Sequence, residues 1–384
     1  MNDGRGSKFE TALHQRGFSL VEIMVALVLS LFLVAGVIQL FLGTRQTYRF
    51  HEALSRIQEN GRFATEILSR DIRMTGFTGC PPTNPVVNVL NNPADWWKDF
   101  GAGALVGYDG AQVFPGRAVG TNAGDRVAGT DAAIFLGGSG GYFITASAPT
   151  ALPPTFTLSG LSKPDGSTLS RGDIAIVCDV QRTSIFQVTT VTAGPPSVIA
   201  HASGAGTAVP GNCTANLFPS GTPPAPCASG GTVDAYVPAQ STLVDFSPSA
   251  YYVGVGASGA GRSLYRLQLQ VAAAAAPPTA SMVSQELIEG VQDMQIFYGE
   301  DTNGDRIVDQ YVDANAVADW ANVLSVRVNL LLVSLENNLA NAAQTILFPA
   351  DTGGAGTVGN SFAAGDRRIY QTFTTTIGIR NRLP

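Results

Sequence analysis

Charge is scarce in this chain: only 14% of the 384 residues are Asp, Glu, Lys or Arg, and the net charge is −6. A nucleic-acid-binding protein carries a basic excess, so this balance argues against direct nucleic-acid binding. Histidine is scarcer still, and none of His14, His51 and His201 lies near a nucleophile motif such as Gly-x-Ser-x-Gly. The sequence also has no Gly-rich phosphate loop followed by Lys-Ser or Lys-Thr. It therefore predicts a protein that is not an enzyme.

A long apolar run begins near the N-terminus. Between Phe18 and Gly43 the one charged residue is Glu22. Twenty-odd apolar residues at about 1.5 Å each span roughly 30 Å, which is enough for a helix to cross a bilayer. A carboxylate within such a span costs about 2.5–3.5 kcal/mol, so we expect Glu22 to have a function. Residues 18–43 are therefore predicted to be a transmembrane segment.

The residues before this run do not form an ordinary secretory signal. Residues 1–17 have no apolar core of their own. They carry more basic than acidic residues, namely Arg5, Lys8 and Arg16 against Asp3 and Glu10. Because a basic excess beside a membrane span stays in the cytoplasm, we expect a cytoplasmic leader and an exported remainder.

The helix is predicted to continue beyond the membrane, over residues 44–77. From Thr44 to Met74 there is no proline. Apolar residues recur at intervals of three, four and seven, at Phe50, Leu54, Ile57, Ala64, Leu68 and Ile72. This spacing gives one apolar stripe along the helix. Gly61 costs about 1 kcal/mol relative to alanine, and Gly76, Gly79 and Pro81 end the helix.

The rest of the chain is rich in turns and strands. The 43 glycines and 22 prolines favour many short strands. Apolar or alternating runs predict strands at 131–136, 173–179, 184–192, 250–256, 263–271, 291–298, 322–334 and 368–380. In 322–334 the polar Ser325, Arg327 and Asn329 alternate with apolar residues, which predicts a half-buried strand. The stretch 272–278 reads as a linker, which gives two β regions, residues 78–271 and 279–384.

Four cysteines, Cys80, Cys178, Cys213 and Cys227, all lie outside the apolar run. No Cys-x-x-Cys pair is present, so a zinc site is not predicted. In an exported chain four cysteines predict two disulfides, with three possible pairings. Cys213 and Cys227 bracket a Pro/Gly/Ala-rich loop, and closing a loop near 15 residues is worth about 3 kcal/mol. The favoured pairing is therefore Cys213 with Cys227, leaving Cys80 for Cys178.

The N-terminal residues resemble those of type IV pilins and their relatives. In that class a leader ends in Gly, Phe becomes the new N-terminus and Glu is the fifth mature residue, as Gly17, Phe18 and Glu22 would be here. Later in the chain, residues 287–299, 326–328, 366–368 and 376–382 resemble the PilW-type minor pilins. The resemblance implies an α+β fold, in which a helix that is half transmembrane and half amphipathic packs on antiparallel β-sheet in two subdomains.

For the N-terminal residues the resemblance implies processing and assembly roles. A prepilin peptidase would cleave between Gly17 and Phe18, and Phe18 would become N-methylated. Glu22 would bind the N-terminal amine of a neighbouring subunit, because a carboxylate in hydrocarbon needs a positive partner.

For the whole protein the resemblance implies a minor pilin that primes type IV pilus assembly and joins the pilus tip, supporting twitching motility, adhesion or DNA uptake. Its expected partners are other minor pilins, the major pilin, the prepilin peptidase, the inner-membrane assembly platform and the membrane. We expect a single inner-membrane span with a periplasmic body that later reaches the cell surface. The alternatives are a pseudopilin of a type II secretion system and a calcium-dependent pilus-tip adhesin.

An Asp-rich stretch predicts a calcium site. Side chains with oxygen ligands occupy positions 1, 3, 5 and 9 of an EF-hand-like loop, and a backbone carbonyl falls at position 7: Asp301, Asn303, Asp305, Asp309 and Ile307. Two departures are Arg306 at position 6, where such loops have glycine, and Val312 at position 12, where they have glutamate; Asp313 can substitute for the latter. The alternative interpretation is an Asx-rich turn that needs no metal.

The tripeptide Arg171-Gly172-Asp173 matches a cell-attachment motif. Because it directly precedes a predicted strand in a glycine-rich chain, we interpret it as a turn that enters the strand.

Overall fold

The computed structural model describes residues 18–81, 84–151, 153–163, 165–204, 206–218, 227, 236–238, 240–349 and 360–382. The chain divides into two compact units, Met1–Glu52 and Ala53–Pro384. One α-helix, α1, comprises Leu20–Arg73. The strands are β1 (Val86–Asn88), β2 (Leu105–Tyr108), β3 (Ala132–Phe135), β4 (Gly138–Ala148), β5 (Thr155–Leu158), β6 (Ile174–Cys178), β7 (Thr183–Gln187), β8 (Thr190–Thr192), β9 (Ser197–Ala200), β10 (Thr242–Phe246), β11 (Ser249–Val255), β12 (Arg262–Ala272), β13 (Thr279–Glu289), β14 (Val291–Glu300), β15 (Gln310–Val312), β16 (Val323–Val333), β17 (Thr345–Leu347), β18 (Ser361–Ala363) and β19 (Tyr370–Gly378).

The second part of α1 packs with its predicted apolar stripe inward. The buried residues of the helix are Ile57, Gly61, Ala64, Leu68 and Ile72. The helix ends after Arg73, and the next residues form a turn in which Gly76 has φ of 75°. The Gly76 N–H donates to the Leu136 carbonyl at 2.8 Å, which ties this turn to the chain after β3. A glycine suits this position because the left-handed conformation strains other residues.

The strands form four sheets. The largest has eight strands in the order β1-β7-β6-β10-β4-β5-β9-β8, the next has the order β13-β12-β11-β3-β2, the third has the order β15-β14-β16-β19, and β17 pairs with β18. Among these strands the β1–β7 pair is parallel and the other pairs are antiparallel. A long N-terminal helix with antiparallel sheets confirms the predicted α+β fold.

The expected linker at residues 272–278 is instead the loop of a hairpin. β12 and β13 pair antiparallel along their length, from Ser263 opposite Glu289 to Ala272 opposite Thr279. The prolines occur where the chain reverses, where no ladder hydrogen bond is needed from their nitrogen. The predicted boundary between two β regions therefore lies inside one sheet, and residues 53–384 form a single compact unit.

The single strand expected at residues 184–192 is two strands, β7 and β8. β7 pairs with β6, whereas β8 pairs with β9. The change of partner occurs between Val188, whose N–H donates to Asp173, and Thr189, whose N–H donates to Ala200. An apolar pattern alone does not show such a change because it continues through both strands.

β16 is buried on both faces except at Arg327, which is half-buried, although its alternating sequence predicts one exposed face. Asn329 has no exposed surface, and Ser325 is 7% exposed. Neighbouring polar groups cover them: Thr374 Oγ1 donates to Asn329 Oδ1 at 2.7 Å, and Ser325 Oγ hydrogen-bonds Tyr311 Oη at 2.9 Å. The pattern predicts the strand correctly, and neighbouring side chains supply the hydrogen bonds of Ser325 and Asn329.

Two disulfides join the four cysteines, Cys80 with Cys178 and Cys213 with Cys227, which is the pairing favoured from the sequence. The first ties the chain just after α1 to the end of β6. Because β6 belongs to the eight-stranded sheet, this disulfide links the chain after the helix covalently to that sheet.

Candidate functional site

The start of α1 carries two polar side chains that bind each other, Ser19 and Glu22. The Ser19 backbone N–H donates to Glu22 Oε2 at 3.0 Å, and Ser19 Oγ donates to the same oxygen at 3.2 Å. In return, the Glu22 N–H donates to Ser19 Oγ at 3.2 Å. This reciprocal arrangement is a capping box, which satisfies amide donors that the first helical turn leaves without partners.

Ser19 is a site residue that the sequence reasoning missed. The signal was present, because Ser followed by Glu three residues later, directly before an apolar run, is the capping-box pattern. The cap keeps the Glu22 carboxylate in the first turn, where the positive end of the helix dipole favours a negative charge. Phe18, Glu22 and Ile23 line one shallow groove. Phe18 and Glu22 therefore lie together, while Gly17 lies outside the described residues.

The helical surface after Glu22 is apolar on every side and exposed. Each Leu, Ile, Val, Phe and Met from Leu20 to Leu42 has more than half of its surface accessible. By length and composition, α1 has one stretch that is apolar enough to cross a membrane. A helix that is apolar all round needs lipid or other helices around it. Its few hydroxyls bind within the helix, as Ser30 Oγ donates to the Leu27 carbonyl at 2.9 Å.

The later part of α1 packs closely on β19 at Gly61. A Cβ atom at this position would overlap the ring of Phe373. The missing side chain therefore lets an aromatic ring lie against the helix backbone. From the sequence, Gly61 has only a cost in helix propensity. In the structure, it is needed because a larger residue would overlap Phe373.

Asp71 fixes the end of α1 to the five-stranded sheet. Its Oδ2 accepts from Tyr251 Oη of β11 at 2.7 Å and from the Arg266 guanidinium of β12 at 3.0 Å. Burial raises the pKa of Tyr251 well above its usual range, with the Asp71 charge acting in the same direction. The tyrosine thus stays a neutral donor to the carboxylate, and the pair anchors the helix.

The Asp-rich loop is a network of Asx turns. Asp301 Oδ1 accepts from the N–H groups of Asn303 and Gly304, and Asp301 Oδ2 accepts from the Arg306 N–H at 2.8 Å. Asp309 Oδ2 accepts from the Thr302 N–H and hydroxyl. Burial opposes the charged form of Asp301, but these N–H donors outweigh it and lower its pKa. Turn chemistry therefore accounts for the loop without a metal.

The backbone of this loop adopts one conformation typical of calcium loops, although the glycine that usually allows it is absent from the sequence. Arg306, at the position where such loops have glycine, has φ of 66°, the left-handed conformation that glycine favours. Among the residues described, no three His, Cys, Asp or Glu side chains are placed together to hold a metal ion. Calcium binding by Asp301, Asn303, Asp305, Ile307 and Asp309 therefore stays a prediction.

In the Arg171-Gly172-Asp173 tripeptide, Gly172 and Asp173 are buried and Arg171 is exposed. Asp173 is 6% exposed, and its Oδ2 pairs with Lys163 Nζ at 2.8 Å. Arg171 donates to the carbonyls of Thr189 and Thr207. Both charged side chains thus have partners within the protein, which supports the interpretation as a turn that enters β6.

One buried carboxylate, Asp131, lies just before β3 and faces β14. Its Oδ2 accepts from the Ile296 N–H at 2.8 Å, while its Oδ1 has no partner among the described residues. Burial raises the pKa of Asp131 to about 8, and the negative charges of Asp109 and Asp293 act in the same direction. The Ile296 N–H and the positive charge of Arg126 lower the pKa and only partly offset this rise. This residue is a buried group of the body and lies away from the processing residues in sequence.

Two family models match the chain. Residues 250–381, from β11 to β19, match the Type IV Pilus-assembly protein W model, PilW. Residues 13–38 match the prokaryotic N-terminal methylation motif. No curated protein and no solved structure matches. The two matches confirm the resemblance seen in the sequence, and they are matches to pilin-type structural proteins. The motif and the apolar helix together indicate membrane anchoring and association with a pilus.

Proposed function

We propose that this PilW-type pilin is a minor pilin that primes assembly of type IV pili and is incorporated at the pilus tip. The observation that carries the proposal is α1 itself. Its first part is apolar and exposed on all sides, with the capped Glu22 at its start, and the same helix continues into the β-sheet body. Such a helix is suited to span a membrane before assembly and to pack among other helices afterwards.

The proposed mechanism is packing rather than reaction. A prepilin peptidase cleaves after Gly17, and Phe18 becomes the methylated N-terminus. The Glu22 carboxylate then accepts the N-terminal ammonium of a neighbouring subunit. Because an unpaired carboxylate in hydrocarbon costs about 2.5–3.5 kcal/mol, the pairing favours assembly over the isolated subunit. The Ser19 cap supports this role because it holds the carboxylate in the first turn.

The size of the body supports a position at the tip. Residues 53–384 form one compact unit with four sheets. A body of this size hinders the stacking of many copies along a filament, whereas a single copy at the end meets no such limit. The partners would be other minor pilins and the major pilin, assembled by the inner-membrane platform. The body would be periplasmic before assembly and on the cell surface afterwards.

The test is a count of sheared surface pili from an in-frame deletion strain, with pilus retraction disabled in parallel. We expect pili to vanish and to return in part without retraction, since priming is then less limiting. Complementation with Glu22→Gln should restore far fewer pili than the wild type. The matched control is Glu59→Gln, which changes an exposed carboxylate further along the same helix.

Normal pilus numbers in the deletion strain would overturn the priming role. If enzyme secretion fell instead, the protein would act as a type II secretion pseudopilin. If pili were normal and attachment was lost, the protein would act as an adhesin.

A further inference from the structure

A groove of about 580 Å3 lies between the last turns of α1 and the end of β19. Its lining is strongly basic, with four arginines and one acid: Arg62, Arg70, Arg73, Arg380 and Glu66. All five of these side chains are exposed. The chain as a whole has a net charge of −6, so this groove is a local reversal of its charge.

Two elements build the basic lining. Arg62, Arg70 and Arg73 lie eight and three residues apart on α1, which places them on one face of the helix. Arg380 follows β19 and contributes the fourth guanidinium from the opposite wall. Arg70 and Arg73 complement the negative end of the helix dipole. That role does not account for Arg62, about three turns earlier, or for Arg380 on another element.

Within the part of the chain that the structure describes, the four arginines of the groove have no ion-pair partner, although Glu66 lies among them. Across the described ranges, no ion pair or side-chain hydrogen bond joins the guanidinium of Arg62, Arg70, Arg73 or Arg380 to another residue. Glu66 also forms no such pair. Like charges held close together repel, so an acidic group that enters the groove lowers the electrostatic free energy of these arginines.

We propose that this groove binds an acidic segment of a neighbouring pilin subunit. The inference rests on the proposed function, which supplies the neighbours. Guanidinium groups pair with carboxylates through two parallel hydrogen bonds, which gives both attraction and orientation. The groove is open to solvent along its length, and its volume of about 580 Å3 is enough for a few residues of peptide to lie in it.

The position of Glu66 favours a protein segment over nucleic acid. Glu66 lies four residues from both Arg62 and Arg70, in the middle of the basic face. A phosphate backbone, with a charge at every step, meets repulsion there. An acidic peptide with a neutral or basic residue between its carboxylates does not. The acidic balance of the whole chain also disfavours nucleic acid.

The test places a photo-cross-linking amino acid at Ser69, within the groove, in the full chain in piliated cells. The control places it at Val113, which is 87% exposed outside the groove. We expect irradiation to give an adduct from residue 69 with another pilin, mapped by mass spectrometry to an Asp- or Glu-rich segment. Residue 113 should not give that adduct.

Charge variants then test the chemistry. Arg62→Gln with Arg73→Gln should lower the adduct yield about tenfold, the effect of losing about 1.4 kcal/mol of binding free energy. Arg306→Gln, which removes an exposed arginine elsewhere, should leave the yield unchanged. Arg70→Glu should abolish the adduct, and an acid-to-arginine change at the mapped partner residue should restore it. Equal protein levels and melting temperatures show that the variants are folded.

The inference is overturned if no adduct forms, or if the adduct is with DNA, lipid or a second copy of this chain. It is also overturned if the adduct yield is the same in the charge variants as in the wild type. The pilus count of the deletion strain is a separate readout. If pili depend on the protein but the adduct fails, the groove assignment is wrong and the priming role stands. If pili do not depend on it, the priming role fails whatever the adduct shows.

Discussion

Gly61 and Phe373 lie against each other where α1 meets β19, and a Cβ on residue 61 would overlap the aromatic ring. On helix propensity alone, Gly61→Ala should stabilise the protein by about 1 kcal/mol. Because the ring has to turn out of its contact, we expect the opposite, a loss of about 1–2 kcal/mol. Thermal melting of the detergent-solubilised protein measures the effect as a lower midpoint.

A second background separates the steric effect from helix propensity. With Phe373→Ala in place, the ring is gone, so Gly61→Ala should raise the melting temperature instead. The same direction in both backgrounds would mean that Phe373 does not limit residue 61. This double-mutant comparison is informative because the two residues are in contact.

Asp131 predicts a pH dependence of stability. Its pKa in the folded protein is raised to about 8 by burial, against an ordinary value of 3.8. Between these values the folded state keeps a proton that the unfolded chain releases, so stability falls as pH rises. The slope is at most about 1.4 kcal/mol per pH unit. Asp131→Asn removes the ionisation and should raise the melting temperature at pH 7.5 more than at pH 5.

The charged neighbours of Asp131 are Asp109, Asp293 and Arg126, and they are present in both proteins. Asp293, whose burial raises its pKa to about 6, titrates in the same range, so only the difference between variant and wild type is used. Glu59→Gln is the control, because its carboxylate is exposed on α1. An equal shift at both pH values would contradict the assignment.

At the scale of elements, the β12–β13 hairpin can be tested by cutting its loop. A protease site placed within residues 273–276 should be cleaved with little loss of structure, because β12 and β13 pair from Ser263 opposite Glu289 to Ala272 opposite Thr279. The two fragments should then elute together in size-exclusion chromatography. Both disulfides lie before the cut, so no covalent bond holds the fragments. Separation of the fragments would favour a linker between independent domains.

The Asp-rich loop carries the calcium prediction. Isothermal titration with millimolar Ca2+ should give a heat of binding that Asp305→Asn strongly weakens, since a calcium loop needs most of its charged oxygen ligands. Asp165→Asn is the matched control, an aspartate in another exposed turn. No heat for the wild-type protein would leave the Asx-turn network as the full explanation of the loop.

Local sequence patterns predict the positions of the helix and strands better than they predict which elements pack or pair with one another. The proline-free stripe from Leu54 to Ile72 specified α1, since helical periodicity is local information. The burial of Asn329 and the hairpin at 272–278 depend on residues far away in the chain, which no window shows. Likewise the Ser19 cap has a local signal, whereas the approach of Phe373 to Gly61 becomes visible only in three dimensions.

For the molecule as a whole, the two family matches fall on different parts of the chain. One covers the start of α1 and the other covers β11 to β19, while β1 to β10 lie in neither. The unmatched strands include the whole eight-stranded sheet. The similarity to the PilW model therefore rests on the five-stranded and four-stranded sheets and says nothing about the eight-stranded sheet.

The processing of the whole chain gives the last prediction. In normal cells mass spectrometry should find an N-terminal peptide that starts at methylated Phe18, because the methylation-motif match spans the Gly17–Phe18 bond. In cells without prepilin peptidase the chain should keep Met1, and no copies should enter sheared pili. In the proposed mechanism the leader has to be removed, because the Glu22 carboxylate would pair with the free amine of a neighbouring Phe18. An intact leader on protein recovered from pili would contradict both the cleavage and the role of Glu22.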